Sequence, residues 1–466
     1  MSIDLISSLI LSAVLSIVVA ARFYSQEKQP IDDNENYANV VPVGALPLCM
    51  LMLFVFIFMK YGTRFSIEVT CSWCFSLFIQ ISIFYIILLV MMPWFRRHFS
   101  ARACAALWVL PNFAYIFTYA PIKTKIPLVV ISVPSMVVKV ILIIWSVGFA
   151  GVFLYYVIQH LKFRYRILKN ATLVTDDKIL DLWNKIPQTY PLYVSPETNT
   201  PLSIGLLKMT TKVVLPQKEY TEEELRLIFR HEIVHIKRGD SETKFFMMFC
   251  TAMCWFNPLM WIAMRKSADD LELSCDETVL LEEDEEVRKK YAELILKTAG
   301  HHQGFTTCLS ASAAALKYRL SNVMKQRRLR TGGILVGVML FVFLFFGGYV
   351  SLAYENNTVA ELIQDYELKS VSIYDETEGK LEECIDQDSL KEYLGKLEIS
   401  KVTGNHTYSS DNLHLSCIFA DENEAFSIYV TEYGVKYTNL SKDTRYERRY
   451  YLQTEIDWDY LKTLFR

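Results

Sequence analysis

In the stretch "RHEIVHIKRGD" (230–240), His231 and His235 stand four residues apart and Glu232 directly follows the first. On a helix, positions i and i+4 share a face, so the two imidazoles can offer nitrogens to one divalent ion. Glu232 then lies beside the ion rather than on it, where a carboxylate can take a proton from a polarised water. That is the chemistry of a zinc-dependent hydrolase. The same pattern also suits an amphipathic helix with two polar positions, so its surroundings must decide. Ile233, Val234 and Ile236 give the pair an apolar setting.

A catalytic zinc usually takes three protein ligands and keeps a fourth position open, so the histidines need a partner. The stretch "SADDLELSCDETVL" supplies candidates, with Glu272 placed 37 residues beyond His235. Glu272 and Asp276 are again four apart; one can close the metal site while the other holds a ligand imidazole by its free N–H. Asp269, Asp270 and Glu277 are rivals, but Leu273, Val279 and Leu280 put an apolar stripe beside the Glu272/Asp276 pair. Glu272 is the expected third ligand and Zn²⁺ the expected cofactor. His301 and His302 are too isolated to outrank it, and Cys254 and Cys275 read as packing residues.

The element that must carry the histidines announces itself. In "YTEEELRLIFRHEIVHIKRGD", Thr221 can cap a helix, Glu224 can reach back to form a capping box, and Gly239 suits the end. The following apolar run, 245–264, is broken by Asn257 and Pro258. A clean bilayer crossing there would separate His231 from Glu272, so a helical hairpin is expected.

The wider chain is apolar. Of 466 residues, 52% are hydrophobic and 21% charged, which points to a membrane protein. Apolar runs predict spans near 4–21, 41–59, 72–94, 103–120, 128–157 and 333–353. Pro111 and Asn112 interrupt the fourth, where a re-entrant helix fits as well. The opening run lacks a basic leader and carries Asp4, so it reads as a span rather than a secretory signal. Basic loops stay in the cytoplasm. With the N-terminus outside, Arg96, Arg97 and Arg102, then Lys162, Arg164, Arg166 and Lys169, then Lys317, Arg319, Lys325, Arg327, Arg328 and Arg330 all fall inside.

The expected domains are therefore a multi-span region (1–159), a cytoplasmic zinc metalloprotease domain (160–332), a transmembrane helix (333–353) and an extracellular α+β domain (354–466). In the last, helices are predicted at 388–397 and 454–465, strands at 413–419, 425–431 and 435–440, and Cys384 with Cys417 is a candidate disulfide. "CSWC" (71–74) is a weak redox or metal pattern. The net charge of −3 selects no partner. No phosphate loop, nucleic-acid motif or repeat stands out, and no direct binding of nucleic acid is expected.

Four stretches, "PLSIGLLKMTTKVVLP" (201–216), "LIFRHEIVHIKRGD" (227–240), "WFNPLMW" (255–261) and "LELSCDETVL" (271–280), in that order and spacing resemble the metalloprotease domain of the membrane-bound β-lactam sensor-transducers and methicillin-resistance regulators of Gram-positive bacteria, the BlaR/MecR type of peptidase family M56. The resemblance covers roughly 160–330. It implies a gluzincin-type α+β zinc peptidase facing the cytoplasm, embedded in a mainly α integral membrane protein. It further implies His231, His235 and Glu272 as metal ligands, Glu232 as the catalytic glutamate and Asp276 as the aspartate of a Glu-x-x-x-Asp pattern. Residues 201–216 would be the edge strand on which substrate is laid, and "QRRLR" (326–330) a point of autocleavage or a basic membrane flank. The tail departs from these receptors: it has neither Ser-x-x-Lys nor Lys-Thr-Gly, and the one Ser-x-x-Lys match, "SETK" (241–244), lies beside the zinc helix. Covalent β-lactam sensing is not expected.

The function expected from the whole is a membrane zinc endopeptidase that turns an extracellular signal into proteolysis of a cytoplasmic target of the DNA-binding repressor kind. Its partners would be the lipid bilayer, that substrate, an extracellular ligand and a second copy of the chain as a homodimer. The competing readings are a receptor with a structural zinc site, a prenyl-peptidase-like maturation protease, and a scaffold with a vestigial motif.

Overall fold

The structure is a computed structural model. It describes residues 3–28, 46–61, 63–117, 129–133, 135–281, 283–298, 313–324, 330–345, 350–376, 379–381, 384–402, 413–421, 424–440 and 447–465. His301, His302 and most of the "QRRLR" cluster lie outside them.

The chain opens with α1 (Ile3–Lys28), α2 (Leu46–Tyr61), α3 (Thr63–His98) and α4 (Ala101–Val109). A 3-10 turn (Leu110–Phe117), β1 (Val129–Val133) and α5 (Ser135–Lys169) follow. Next come β2 (Thr172–Leu173), α6 (Asp177–Asn184), β3 (Leu192–Ser195), β4 (Leu202–Ile204) and β5 (Lys212–Pro216). A helical series then runs through α7 (Glu222–Arg238), α8 (Asp240–Met253), α9 (Pro258–Val279), α10 (Glu285–Thr298), α11 (Ala313–Val323) and α12 (Gly333–Phe345). The C-terminal part holds β6 (Val350–Thr358), α13 (Ala360–Ile363), β7 (Glu367–Asp375), β8 (Gly379–Leu381), α14 (Gln387–Gly395) and β9 (Glu398–Val402). It closes with β10 (Leu413–Ala420), β11 (Ala425–Thr431), β12 (Gly434–Asn439), β13 (Glu447–Leu452) and α15 (Trp458–Thr463).

Among the described residues, three helical stretches are long and apolar enough to cross a membrane: Leu9–Glu27, Ser76–His98 and Val140–Lys169. Three of the expected spans differ from the observed elements. At 103–120 the helix ends at Val109 and tightens into the 3-10 turn around Pro111. At 128–157, Val129–Val133 is a strand, as suits a β-branched run just before Pro134, and the helix starts at Ser135. At 333–353 the helix has 13 residues, about 20 Å at 1.5 Å per residue, and β6 begins by Val350. α12 compensates by packing tightly and antiparallel on α1. A Cβ on Gly337 would fall 2.7 Å from Ala20 Cβ, so only glycine permits this approach.

One apolar core joins α3, α4, α8, α9 and α12, with Tyr85, Trp108, Tyr115 and Phe246 fully buried. The run 245–264 contributes to it as the expected hairpin: α8 stops at Met253, and Asn257 caps α9 by accepting the Leu259 N–H at 3.0 Å, with Pro258 at the first position. A second core, built on Trp183, Phe229, Ile233, Val279 and Tyr291, lies between α6, α7, α9, α10 and the small sheet.

That small sheet has the order β2-β3-β5-β4, which puts β4 at an edge. The stretch 201–216 is thus a hairpin with one edge strand and one interior strand, not a single strand. Leu202 and Ile204 of β4 cluster with Phe163 and Ile167 of α5. The C-terminal sheet runs β1-β6-β9-β13-β12-β11-β10-β7-β8, with β1 pairing parallel to β6 at its edge. The three expected strands and both helices are present there; the expected Cys384–Cys417 disulfide is not, and both are free thiols, Cys417 buried in the apolar core and Cys384 packed against it.

Candidate metal centre

α7 begins as its sequence requires. Thr221 Oγ1 accepts the Glu224 N–H at 3.2 Å, and Glu224 Oε2 accepts the Thr221 N–H at 2.9 Å. Gly239, at φ 68°, ends the helix in the left-handed region and turns the chain straight into α8. His231 and His235 consequently share one face, and α9 returns antiparallel along the α7–α8 pair to bring up its acids.

The two Nε2 atoms lie 3.1 Å apart. Glu272 Oε2 lies 3.8 Å from His231 Nε2 and 3.7 Å from His235 Nε2. Around a tetrahedral ion with bonds of about 2.0–2.1 Å, neighbouring donor atoms are about 3.3 Å apart. The three atoms are within about half an ångström of that spacing.

The opposite edges of both rings are fixed. His235 Nδ1 donates to Asp240 Oδ2 at 2.6 Å. His231 Nδ1 is 2.8 Å from the Tyr291 hydroxyl, which itself donates to Asp276 Oδ1 at 2.7 Å. Since the hydroxyl proton goes to Asp276, the His231 ring must supply the other from Nδ1, which leaves its Nε2 free to ligate. Burial opposes a charged His235, but Cys275, Glu272 and Asp240 outweigh it and hold its pKa well above the ordinary range, so its Nε2 gives up a proton on binding an ion. Two imidazole nitrogens and a carboxylate oxygen facing one another in a buried site are a donor set that suits a divalent cation.

The surrounding cations shape the acids. Arg319 binds Asp276 through Nε at 2.5 Å and Nη2 at 2.8 Å, and its Nη1 lies 3.4 Å from Glu272 Oε2. Lys244 Nζ holds the other oxygen, Oε1, at 3.3 Å. Arg238 reaches Asp240, Ser274 Oγ and the Leu271 carbonyl, tying α7 to α9. Burial disfavours a charged Glu272, but His235, Lys244 and Arg319 outweigh it and hold the carboxyl well below its ordinary range. Burial, with His235 and Arg319, depresses His231.

Glu232 is 2% exposed, beside Ser203 of the edge strand β4. Burial pushes its carboxyl above the usual carboxylate range, with His235 opposing and Glu272 adding. Such a group takes up a proton more readily than a solvated glutamate.

The fold brings all five expected residues together. Asp276 is 3.8 Å from His231 Nδ1, with the Tyr291 hydroxyl hydrogen-bonded between them. Among the rivals, Asp270 is engaged with Arg96 and Trp108, and Glu277 accepts the Ala101 N–H. Cys275 is closer than a packing residue: donor atoms of His231, His235 and Cys275 lie within 4.8 Å of one another. Its sulfur, however, sits 3.3 Å from the Nδ1 edge of His231 and donates to the His231 carbonyl, whereas the Nε2 edges face Glu272. Sequence reading missed Asp240, Lys244, Tyr291 and Arg319. Asp240 alone carried a signal, since it directly follows the helix-ending Gly239; Lys244 belongs to the "SETK" stretch.

Residues 124–323 match the family model described as BlaR1 peptidase M56. Regulatory protein BlaR1 of Bacillus licheniformis is 28% identical over 184 residues, 38% of this chain and 30% of that protein. The methicillin resistance mecR1 proteins of Staphylococcus aureus and Staphylococcus epidermidis are 28% identical over 174 residues, 35% of this chain and 29% of theirs. The chain thus spans less than a third of the length of these curated relatives. With apolar helices flanking a stretch, residues 124–323, that is similar to the BlaR1-type M56 peptidases, this is a membrane protein.

Proposed function

We propose that this chain is a zinc endopeptidase of the gluzincin type, with His231, His235 and Glu272 as ligands and Glu232 as general base. The observation carrying this reading is the convergence of the two Nε2 atoms and Glu272 Oε2 beside the buried Glu232. Nitrogen and carboxylate donors in this number suit Zn²⁺ with an open position. A zinc ion there supplies Lewis acidity toward a peptide carbonyl and toward water. Glu232 takes the proton of the attacking water on its carboxylate and passes it to the leaving amine nitrogen. Tyr291 and Asp276 keep His231 in its working tautomer, and Asp240 does the same for His235. β4 ends the small sheet next to Glu232, and an extended peptide would add along it as a further strand.

The basic clusters at Arg96–Arg102, Lys162–Lys169 and Lys317–Arg330 favour an N-terminus outside and the site on the cytoplasmic face. In that topology β1 and β6 both lie outside, which their pairing requires. The substrate is then a cytoplasmic protein of the repressor kind, the C-terminal domain is the receiver of an external signal, and proteolysis carries the message. Wild type and Glu232→Ala should be compared, in full length, for cleavage of a co-expressed repressor of the family kind and for zinc content. Zinc retained with cleavage lost supports the reading; cleavage by the variant at the wild-type rate sinks it.

A further inference from the structure

Arg96 closes α3 at the point where the apolar helices meet the metal centre. Its Nη2 lies 2.8 Å from each oxygen of Asp270, and its guanidinium lies over the Tyr318 ring, 5.6 Å from the centroid. Asp270 is fully buried and also accepts the Trp108 Nε1–H at 2.7 Å. The Trp108 carbonyl in turn accepts the Tyr85 hydroxyl at 2.7 Å, and Tyr85 accepts from Asn112 Nδ2 at 2.6 Å. A buried polar ladder therefore fastens α9 to α3, α4 and the 3-10 turn.

The positions of the two contacts matter more than their number. Asp270 precedes Glu272 by two residues on α9, and Tyr318 precedes Arg319 by one on α11. Arg319 is the group that binds both Asp276 and Glu272. One guanidinium thus grips the two helices whose next residues form the acid and arginine side of the centre. A buried ion pair is weak evidence for stability, because desolvation offsets attraction; its attested use is to fix register.

We propose that Arg96 is a positioning residue for the metal centre: it docks α9 and α11 together on the end of α3 and so sets how far Glu272 stands from the two imidazoles. The proposal rests on the metallopeptidase reading. It also makes α3 the element through which movement in the apolar helices reaches the ligand carboxylate.

The test uses the full-length chain in detergent, stripped of metal and titrated with Zn²⁺, and with Co²⁺ for its ligand-field spectrum. Arg96→Ala and Asp270→Ala should each weaken Zn²⁺ binding about 10-fold and alter the Co²⁺ absorption, as loss of a supporting partner does. The charge swap R96D/D270R should recover part of both losses. If Arg96→Ala fails to fold, Arg96→Lys, which keeps charge but loses the planar fork over Tyr318, and the swap carry the comparison. Wild-type affinity and spectrum in a folded Arg96→Ala or Arg96→Lys, or a swap no better than the single variants, overturns the proposal. If the wild type binds neither ion, the metallopeptidase reading fails. The docking is then judged by amide exchange in α9 and α11, which Arg96→Ala must accelerate if the proposal is right and leave unchanged if it is wrong.

Discussion

Asp240 Oδ2 accepts the Nδ1–H of His235 at 2.6 Å, with both side chains buried. The contact exists because Gly239 adopts φ 68° and reverses the chain, so the first residue of α8 faces the last turn of α7. Arg238 holds the same carboxylate through Nε at 3.3 Å and Nη2 at 3.0 Å; burial pushes the Asp240 carboxyl up, but Arg238 and His235 outweigh it and leave it below the usual carboxylate range. The helix terminus therefore does two jobs: it stops α7 and supplies the group that orients its last histidine.

Replacing Asp240 should cost metal affinity before it costs the fold. Asp240→Asn keeps the shape and an acceptor oxygen but removes the charge that strengthens the imidazole as a ligand. Zn²⁺ affinity should fall by about 10–100-fold. Titration of the stripped full-length chain measures it, and a change under twofold would show that the carboxylate does not tune the site.

Tyr291 should matter as much as Asp276, although only the acid stood out in the sequence. Because the carboxylate reaches His231 through the hydroxyl, Tyr291→Phe should weaken Zn²⁺ binding about 10-fold. Adding Asp276→Asn to Tyr291→Phe should then weaken it little further, since residues in one network are not additive. Fully additive losses would mean that the two act on the ring by separate routes.

The contrast between these residues marks what a sequence can hold. His231, Glu232, His235, Glu272 and Asp276 were legible because each pair repeats at four residues on one helix, a periodicity that local geometry enforces. The capping box at Thr221 and Glu224 and the break at Asn257–Pro258 were legible for the same reason. Tyr291 and Arg319 sit 60 and 88 residues from His231, on α10 and α11, and only packing of those helices brings them in. Two of the expected spans ran into strands. Val129–Val133 and the start of β6 at Val350–Ala353 are apolar enough to extend neighbouring helices, yet they pair with each other as strands. In Val129–Val133, β-branched character rather than hydrophobicity favours the strand.

Metal removal should be felt as lost stability concentrated in α7–α9. With Zn²⁺ at 100 times its dissociation constant, the bound state gains about 2.7 kcal/mol over the stripped chain. The gain should vanish in His231→Ala/His235→Ala. Thermal unfolding in detergent with and without chelator reads both, and an equal zinc effect in the double variant would place the ion elsewhere.

Glu277 gives a dependence on pH that lies off the ligands. Its carboxylate accepts the Ala101 N–H at 2.9 Å at the start of α4, and burial, opposed by that bond and aided by Asp276, Asp270 and Glu27, pushes its pKa up to about 7. An acid whose folded pKa is raised costs stability in its charged form. That cost is absent below the ordinary value near 4.5, grows as pH rises through the interval, and is complete above about 7. Glu277→Gln keeps an acceptor for Ala101 and removes the charge. It should unfold at a higher temperature than wild type at pH 8, by a few degrees, with the two converging near pH 4. The comparison is made on stripped protein, so that zinc linkage does not enter. Parallel curves across that range would mean that the Glu277 carboxylate is solvated in the folded chain, and that α4 and α9 are not closed over it.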